Sequence, residues 1–217
     1  MTESHYDVDL GETDTLLSLL AENLEELRLS AGETLFEQDD FDDRLFVLDT
    51  GELEVSVLAA SGRKLSLNRL QPGSVFGEIA FFDPGRRTAR IKALVSSRLR
   101  FARQAALLEG MTRNPKLASA LLQLAGRRMR WMSRQLEDQV FLPPESRLAA
   151  KTLHLSRSDS EIAMSQAQLA DYVGVTRELV SRILSDWRRA GLVELSRGRI
   201  RVLDRSGLME TRDSEEV

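Results

Sequence analysis

Two stretches of this 217-residue chain carry side chains at spacings that could do chemistry. The first runs Phe76-Gly77-Glu78-Ile79-Ala80-Phe81-Phe82-Asp83-Pro84-Gly85-Arg86-Arg87-Thr88-Ala89. Gly77 lets the backbone come close to a ligand. The short Ile79 to Phe82 turn after it exposes N–H groups at its start, where an anion is favoured. Arg87 can hold a phosphate bidentately, Thr88 adds a hydroxyl and a backbone N–H, and Glu78 can accept from a ribose hydroxyl. The same residues also allow an internal Glu78 to Arg87 salt bridge with no ligand.

The second stretch is Ser165 to Arg182, SQAQLADYVGVTRELVSR, which reads as two short helices joined at a sharp turn. Ser165 with Gln168 three residues later fits a capping box, Leu169, Ala170 and Val173 form an inner face, Gly174 supplies the turn and Thr176 caps the second helix. In that helix Val180, Ile183, Leu184 and Trp187 make one buried stripe at i, i+3, i+4, i+7. Arg177, Glu178, Ser181, Arg182 and Ser185 then face outward together. Two guanidinium forks and a carboxylate on an exposed helix suit a major groove, where Arg pairs with guanine acceptors and Glu accepts from cytosine. The alternative is a solvated face with an i, i+4 pairing of Glu178 and Arg182. Past Gly191, LVELSRGRIRVL alternates around Arg197-Gly198 as a hairpin does, so a wing follows, with Arg197, Arg199 and Arg201 placed to touch phosphates.

The rest of the chain must position these two stretches. Its length accommodates two modest domains, and 42% hydrophobic residues with only 5 prolines describe a globular chain. The net charge of −4 conceals a local basic face: Thr176 to Arg205 holds eight Arg against four acids. From Gly32 to Leu99, short β-type runs at Thr34 to Phe36, Leu45 to Leu48, Leu53 to Leu58, Lys64 to Leu70 and Thr88 to Val95 are separated by glycines, which predicts a small sandwich or barrel. Leucines at 16, 17, 19, 20, 24 and 27 predict one or two amphipathic helices over Thr15 to Leu29. Glu145 to Leu155 reads as a helix whose leucines at 148, 153 and 155 pack under the second stretch, and Thr211 to Val217 reads as a polar frayed tail.

Between the two regions, Asn114 to Gln139 is helical. Ala118, Leu122, Ala125, Met129, Met132, Leu136 and Gln139 alternate four and three apart, the seam of a coiled coil over about three heptads. Leu117, Leu121 and Leu124 form a second stripe turned to the β region. Two apolar faces on one helix need two partners, which favours a homodimer over a purely intramolecular core. Pro143-Pro144 ends this helix, since neither residue can donate an N–H.

With Gly77-Glu78-Ile79-Ala80 and Arg87-Thr88-Ala89, then a long helix, then Val175-Thr176-Arg177-Glu178 and Val180-Ser181-Arg182, the sequence resembles the CRP and FNR family of bacterial transcription regulators over nearly its whole length. The resemblance implies an α+β fold: an N-terminal cyclic-nucleotide-binding β-roll, jelly-roll-like, over 1–113, a dimerisation helix and hinge over 114–142, and a C-terminal winged helix-turn-helix over 143–217. It implies a cyclic nucleotide effector, cAMP first, contacted by Gly77, Glu78, Ile79, Ala80, Arg87, Thr88, Ala89, Arg128, Met132 and Ser133. Relatives that bind cAMP present a Thr-Ser pair to the adenine. Alignment on Phe141-Leu142 puts Met132-Ser133 there, and a thioether cannot replace the threonine hydroxyl. Another cyclic nucleotide, or no effector, therefore stays open. DNA contacts would come from Ser165, Gln166, Thr176, Arg177, Glu178, Ser181, Arg182, Arg197 and Arg199. They imply a palindromic TGTGA-like site in double-stranded DNA, and RNA polymerase as a further partner.

Other classes are constrained by what the chain lacks. Without cysteine it has no thiolate iron–sulfur cluster, and its two histidines, His5 and His154, lie too far apart in sequence to suggest haem or a metal site. No nucleophile, base and orienting group occur together and there is no P-loop, so no catalytic residues are assigned. The acidic start has no apolar signal region and no run could span a bilayer, so a cytoplasmic protein is expected. A cyclic-nucleotide module acting through protein partners is the rival from another class. It would show no salt-dependent duplex binding.

Overall fold

The computed structural model describes residues 20, 24–156 and 159–214. They divide into two compact units, one holding the described residues up to Trp131 and the other those from Met132 onward.

The first unit is built on two four-stranded antiparallel sheets. Its strands are β1 (Glu25–Leu29), β2 (Thr34–Phe36), β3 (Leu45–Thr50), β4 (Leu53–Leu58), β5 (Lys64–Leu70), β6 (Val75–Phe76), β7 (Arg90–Ala93) and β8 (Ser97–Ala102). They order as β1-β8-β3-β6 and β2-β7-β4-β5. Phe46 lies opposite Phe76 on one side and Phe101 on the other. Its ring stacks on Phe76 at 5.3 Å and tilts against Phe36 and Phe101, so an aromatic cluster fills the space between the sheets. Helix α1 (Glu78–Phe82) joins β6 to β7, and α2 (Gln104–Arg113) and α3 (Pro115–Phe141) follow β8. Leu117, Ala120, Leu121 and Leu124 of α3 bury against Leu45, Val47, Val75, Phe81 and Leu107, the packing expected of the second stripe.

Two sequence expectations are corrected here. Glu25 to Leu29 is a strand, not the end of a helix, because its backbone pairs along its whole length with β8. The rest of that predicted helix lies outside the described residues, apart from the buried Leu20 and the partly buried Leu24. The strand β8, with apolar Leu99 and Phe101 alternating with Arg98 and Arg100, extends the sheet beyond the last predicted run.

The second unit holds α4 (Pro144–Leu155), β9 (Glu161–Ile162), α5 (Gln166–Val173), α6 (Arg177–Arg189), β10 (Val193–Ser196), β11 (Arg199–Val202) and α7 (Arg205–Asp213). The wing is three-stranded, in the order β10-β11-β9. Leu148, Leu153, Ile162, Leu169, Val180, Leu184, Trp187, Ile200 and Leu208 share one core, with Leu155 packed on its edge. Helix α7 corrects the predicted frayed tail. Asp204 caps it by accepting from the Gly207 N–H at 3.0 Å, and Leu208 anchors it in the core. Residues 215–217 of that tail, and His5, lie outside the described residues.

His154 on α4 is held neutral. Burial, aided by the neighbouring Lys151 charge, lowers its pKa from 6.5 to about 4. The unfolded chain takes up this proton as pH falls through 6.5, while the native chain does not until about 4. Stability is therefore fully present above about pH 6.5 and is lost over the window down to about pH 4, by at most about 3 kcal/mol. Thermal melts at pH 7.5 and 5 should show this decline, and His154→Gln should flatten it.

Candidate functional site

The reading motif is assembled by local chemistry. Ser165 Oγ accepts from the Gln168 N–H at 3.2 Å while Gln168 Oε1 accepts from the Ser165 N–H at 2.9 Å, closing the predicted capping box at the start of α5. Gly174 ends that helix at φ 76°, a conformation only glycine adopts cheaply, and Thr176 Oγ1 accepts from the Leu179 N–H to start α6. Val180, Ile183, Leu184 and Trp187 are buried, as the periodicity requires. Arg177, Glu178 and Arg182 are exposed, and among the described residues none of the three makes an ion pair, so their hydrogen-bonding groups are available to a partner. Ser181 is half-buried and its carbonyl accepts from Ser185 Oγ; Ser165 and Thr176 are exposed, and Gln166 is partly so. In the wing, Arg197 is exposed at the hairpin turn, while Arg199 pairs with Glu161 and Arg201 with Glu161 and Glu194. Exposed pairs of this kind contribute about 0.2–1 kcal/mol, so they can be exchanged for phosphate contacts.

In the glycine cassette Glu78 and Arg87 do not bridge each other, and each is paired with a residue of another element. Arg87 is only 3% exposed. Its Nη1 donates to the Gly77 carbonyl at 3.0 Å, its Nη2 donates to the Arg44 carbonyl at 2.7 Å, and Nη2 also lies 3.1 Å from Asp42 Oδ2. The guanidinium stacks over Phe36 at 4.3 Å. Burial lowers its pKa, and the Asp42 carboxylate opposes that, so the charge is retained. Glu78, also buried, pairs with Arg128 at 3.3 Å instead of Arg87, and Arg128 Nη2 donates to the Val75 carbonyl. Gly77 has φ 86°, and a Cβ there would meet the Arg44 carbonyl and Arg87 Nη1 at 2.8 Å, so the residue is fixed by space as well as by backbone. Thr88 and Ile79 are exposed, Ala80 is buried and Ala89 is half-buried. Met132 and Ser133 belong to the second unit and both are exposed. Sequence reasoning missed Asp42 and Arg44, although the charge run Asp42-Asp43-Arg44 just before β3 was a visible signal. An open cleft of about 760 Å³ lies beside them, lined by Phe36, Phe41, Asp42, Arg44, Ala80 and Arg103 among others.

The outer face of α3 keeps its seam in view. Leu122 is 66% exposed, Met129 61%, Met132 45% and Leu136 66%, with Ala118 before them and Ala125 among them half-buried. Among the described residues, no helix is long and apolar enough to cross a membrane.

Comparison with known proteins matches these parts in the same order. Residues 26–114 match the cyclic nucleotide-binding domain, and residues 115–211 match the Crp-like helix-turn-helix domain. The chain belongs to the CRP and FNR family. It is a cyclic-nucleotide-binding-type transcription regulator with a helix-turn-helix DNA-binding domain. This regulator is 26% identical over 194 residues to a CRP-like cAMP-activated global transcriptional regulator of Mycobacterium tuberculosis, covering 85% of this chain and 87% of the relative. It is 29% identical over 181 residues to the cyclic AMP receptor protein of Thermus thermophilus, covering 82% and 84%. A solved CRP/FNR family transcriptional regulator from Thermus thermophilus superposes with a TM-score of 0.71 at 26% identity, covering 88% of this chain and 100% of that one.

Proposed function

We propose that this CRP and FNR family regulator acts as a homodimer that reads a palindromic TGTGA-like site in double-stranded DNA under the control of a cyclic nucleotide, with cAMP the first effector to test. The observation that carries the DNA reading is the exposed trio Arg177, Glu178 and Arg182, without an ion pair among the described residues, on a helix whose opposite face is docked in the core. Arg177 and Arg182 offer bidentate forks to guanine, and Glu178 accepts from cytosine. Thr176, Ser181, Ser165, Gln166 and the wing residues Arg197 and Arg199 contribute phosphate and flanking contacts. A helix-turn-helix dimer places two such helices one turn of DNA apart, which calls for a palindrome and for the seam along α3. By its type the regulator works alongside RNA polymerase in the cytoplasm.

The effector reading rests on Gly77, Glu78, Arg87, Thr88 and Arg128 for the phosphate and ribose ends, and on the M. tuberculosis relative being cAMP-activated. The ligand shifts the orientation of the reading helices only by its differential affinity for the two states, typically about 1–3 kcal/mol. Weak DNA binding without effector is the consequence. A second reading, the same DNA reader with another effector or none, is favoured by the fact that Arg87 and Glu78 each already hold an internal partner.

Arg177→Ala tests the DNA reading. The substitution should relax base preference at one guanine of each half-site and cost about 1–3 kcal/mol there, in binding to a duplex library at fixed salt. A loss spread evenly over all sequences would make the residue a phosphate contact only.

A further inference from the structure

We propose that Asp42 is a built-in counter-anion of the phosphate site, a tethered carboxylate that an incoming nucleotide phosphate must displace from Arg87. The proposal rests on the cyclic-nucleotide reading above and names a residue that sets the affinity of that site.

The Asp42 side chain is 9% exposed, and it is gripped from two sides. Its Oδ1 accepts from Arg44 Nε at 2.8 Å and from the Arg44 N–H at 3.1 Å. Its Oδ2 accepts from Arg44 Nη2 at 2.9 Å and lies 3.1 Å from Arg87 Nη2. Arg87 has two other partners, the carbonyls of Gly77 and Arg44, and both are backbone groups fixed by β3 and by the start of α1. Among the described residues Asp42 is thus the one side-chain acceptor on Arg87, and the one that can swing away. It can leave without losing its fork to Arg44, because that pairing uses neighbouring atoms two residues apart.

A second observation points to a ligand. Arg87 Nε is buried with no hydrogen-bond acceptor. A buried donor left without a partner is costly and uncommon, and a phosphate oxygen is the acceptor this guanidinium edge would take. The guanidinium cannot turn to find another acceptor, since Phe36 and Phe46 pack on its face and Gly77 leaves no room beside Nη1.

A cyclic phosphodiester carries one negative charge. With Asp42 in place, the carboxylate and the phosphate would crowd the same cation and repel each other. The carboxylate therefore raises the nucleotide concentration needed to fill the site. Pairing with Arg44 and Arg87 keeps Asp42 ionised below the usual carboxylate range, so mild acid does not relieve the competition.

The test is calorimetric titration of the full chain with cAMP and with cGMP, in wild type, Asp42→Asn, Asp42→Ser and the double variant Asp42→Asn with Arg87→Ala. Asn keeps the shape and an acceptor for Arg44 while removing the charge, and Ser serves if Asn lowers the melting temperature. The charge-free variants should bind about tenfold tighter than wild type, and the double variant should lose that gain. Unchanged or weaker binding in the variants, with wild type still binding, overturns the counter-anion role and makes Asp42 at most a positioning residue. Failure of wild type and all variants to bind either nucleotide overturns the cyclic-nucleotide reading, and this proposal with it.

Discussion

Leu122→Glu combined with Leu136→Glu is expected to leave the protein monomeric and to weaken binding to a palindromic site by about 10²–10⁴-fold, while affinity for an isolated half-site stays the same. The seam residues Leu122, Met129, Met132 and Leu136 are exposed on one face of α3, spaced seven, three and four apart, whereas the face carrying Leu117, Leu121 and Leu124 is already covered. An apolar stripe of this length on an exposed helix marks an interaction surface. Its heptad spacing is the pattern by which two helices interlock. Glutamates facing each other across a two-fold axis repel, and they cost the single chain little because both positions face outward. Linking two reading helices makes the second half-site contact intramolecular, which is the whole of the predicted loss. Sedimentation velocity would report the oligomeric state, and fluorescence anisotropy with full-site and half-site duplexes would report the two affinities. A variant that stays dimeric would place the seam elsewhere. A monomer that binds the full site as tightly as wild type would remove the need for two reading helices.

What could be read from the sequence was local. The capping box of Ser165 and Gln168, the left-handed Gly174 and the Thr176 cap each involve groups within three residues of one another, so residue type and spacing specify them almost completely. The stripe of Val180, Ile183, Leu184 and Trp187 is likewise a property of one helix. Elements defined by a distant partner were not legible in this way. Leu27 and Leu29 fit a strand, but Leu27 also continues the leucine spacing of the residues before it, and only pairing with β8 decides between strand and helix. Strand β9 is two residues long and exists because Ile162 pairs with Ile200 of the wing. Helix α7 presents a single buried leucine, too little for a stripe, and is held by Asp204 and by Ser146 of α4 donating to the Thr211 carbonyl. At the cassette, sequence placed Glu78 and Arg87 in one motif and offered their mutual bridge as an alternative. The fold instead gives Glu78 to Arg128 and Arg87 to Asp42, each brought from another element by packing that no spacing rule encodes.

Trp187→Ala is expected to destabilise the second unit by about 3–5 kcal/mol, the cost of deleting a large buried aromatic and leaving a cavity that closes only in part. Trp187 is 2% exposed in the core formed with Leu148, Leu184, Val193 and Leu208, and its Nε1 donates to Glu145 Oε1 at 2.9 Å. The indole therefore ties the C-terminal half of α6 to the first turn of α4 both by packing and by a hydrogen bond. Glu145 is exposed, so water replaces the lost donor and the hydrogen bond adds only about 0.5–1.5 kcal/mol to the total. Trp187→Phe, which keeps most of the apolar volume, should accordingly cost far less than Trp187→Ala. In a unit of this size each kcal/mol moves the midpoint by roughly 4–8 °C, so the alanine variant should melt at least about 12 °C lower in calorimetry. The functional consequence follows from the geometry of α6. Arg177, Glu178 and Arg182 share a rigid helix with Val180, Leu184 and Trp187, and they can be presented together only while that stripe stays docked. The variant should bind DNA with near wild-type base preference at low temperature and lose all binding, specific and non-specific alike, as the second unit melts. Selective loss of base preference while the unit remains folded would instead mean that Trp187 sets the pose of the reading helix, and not merely its stability.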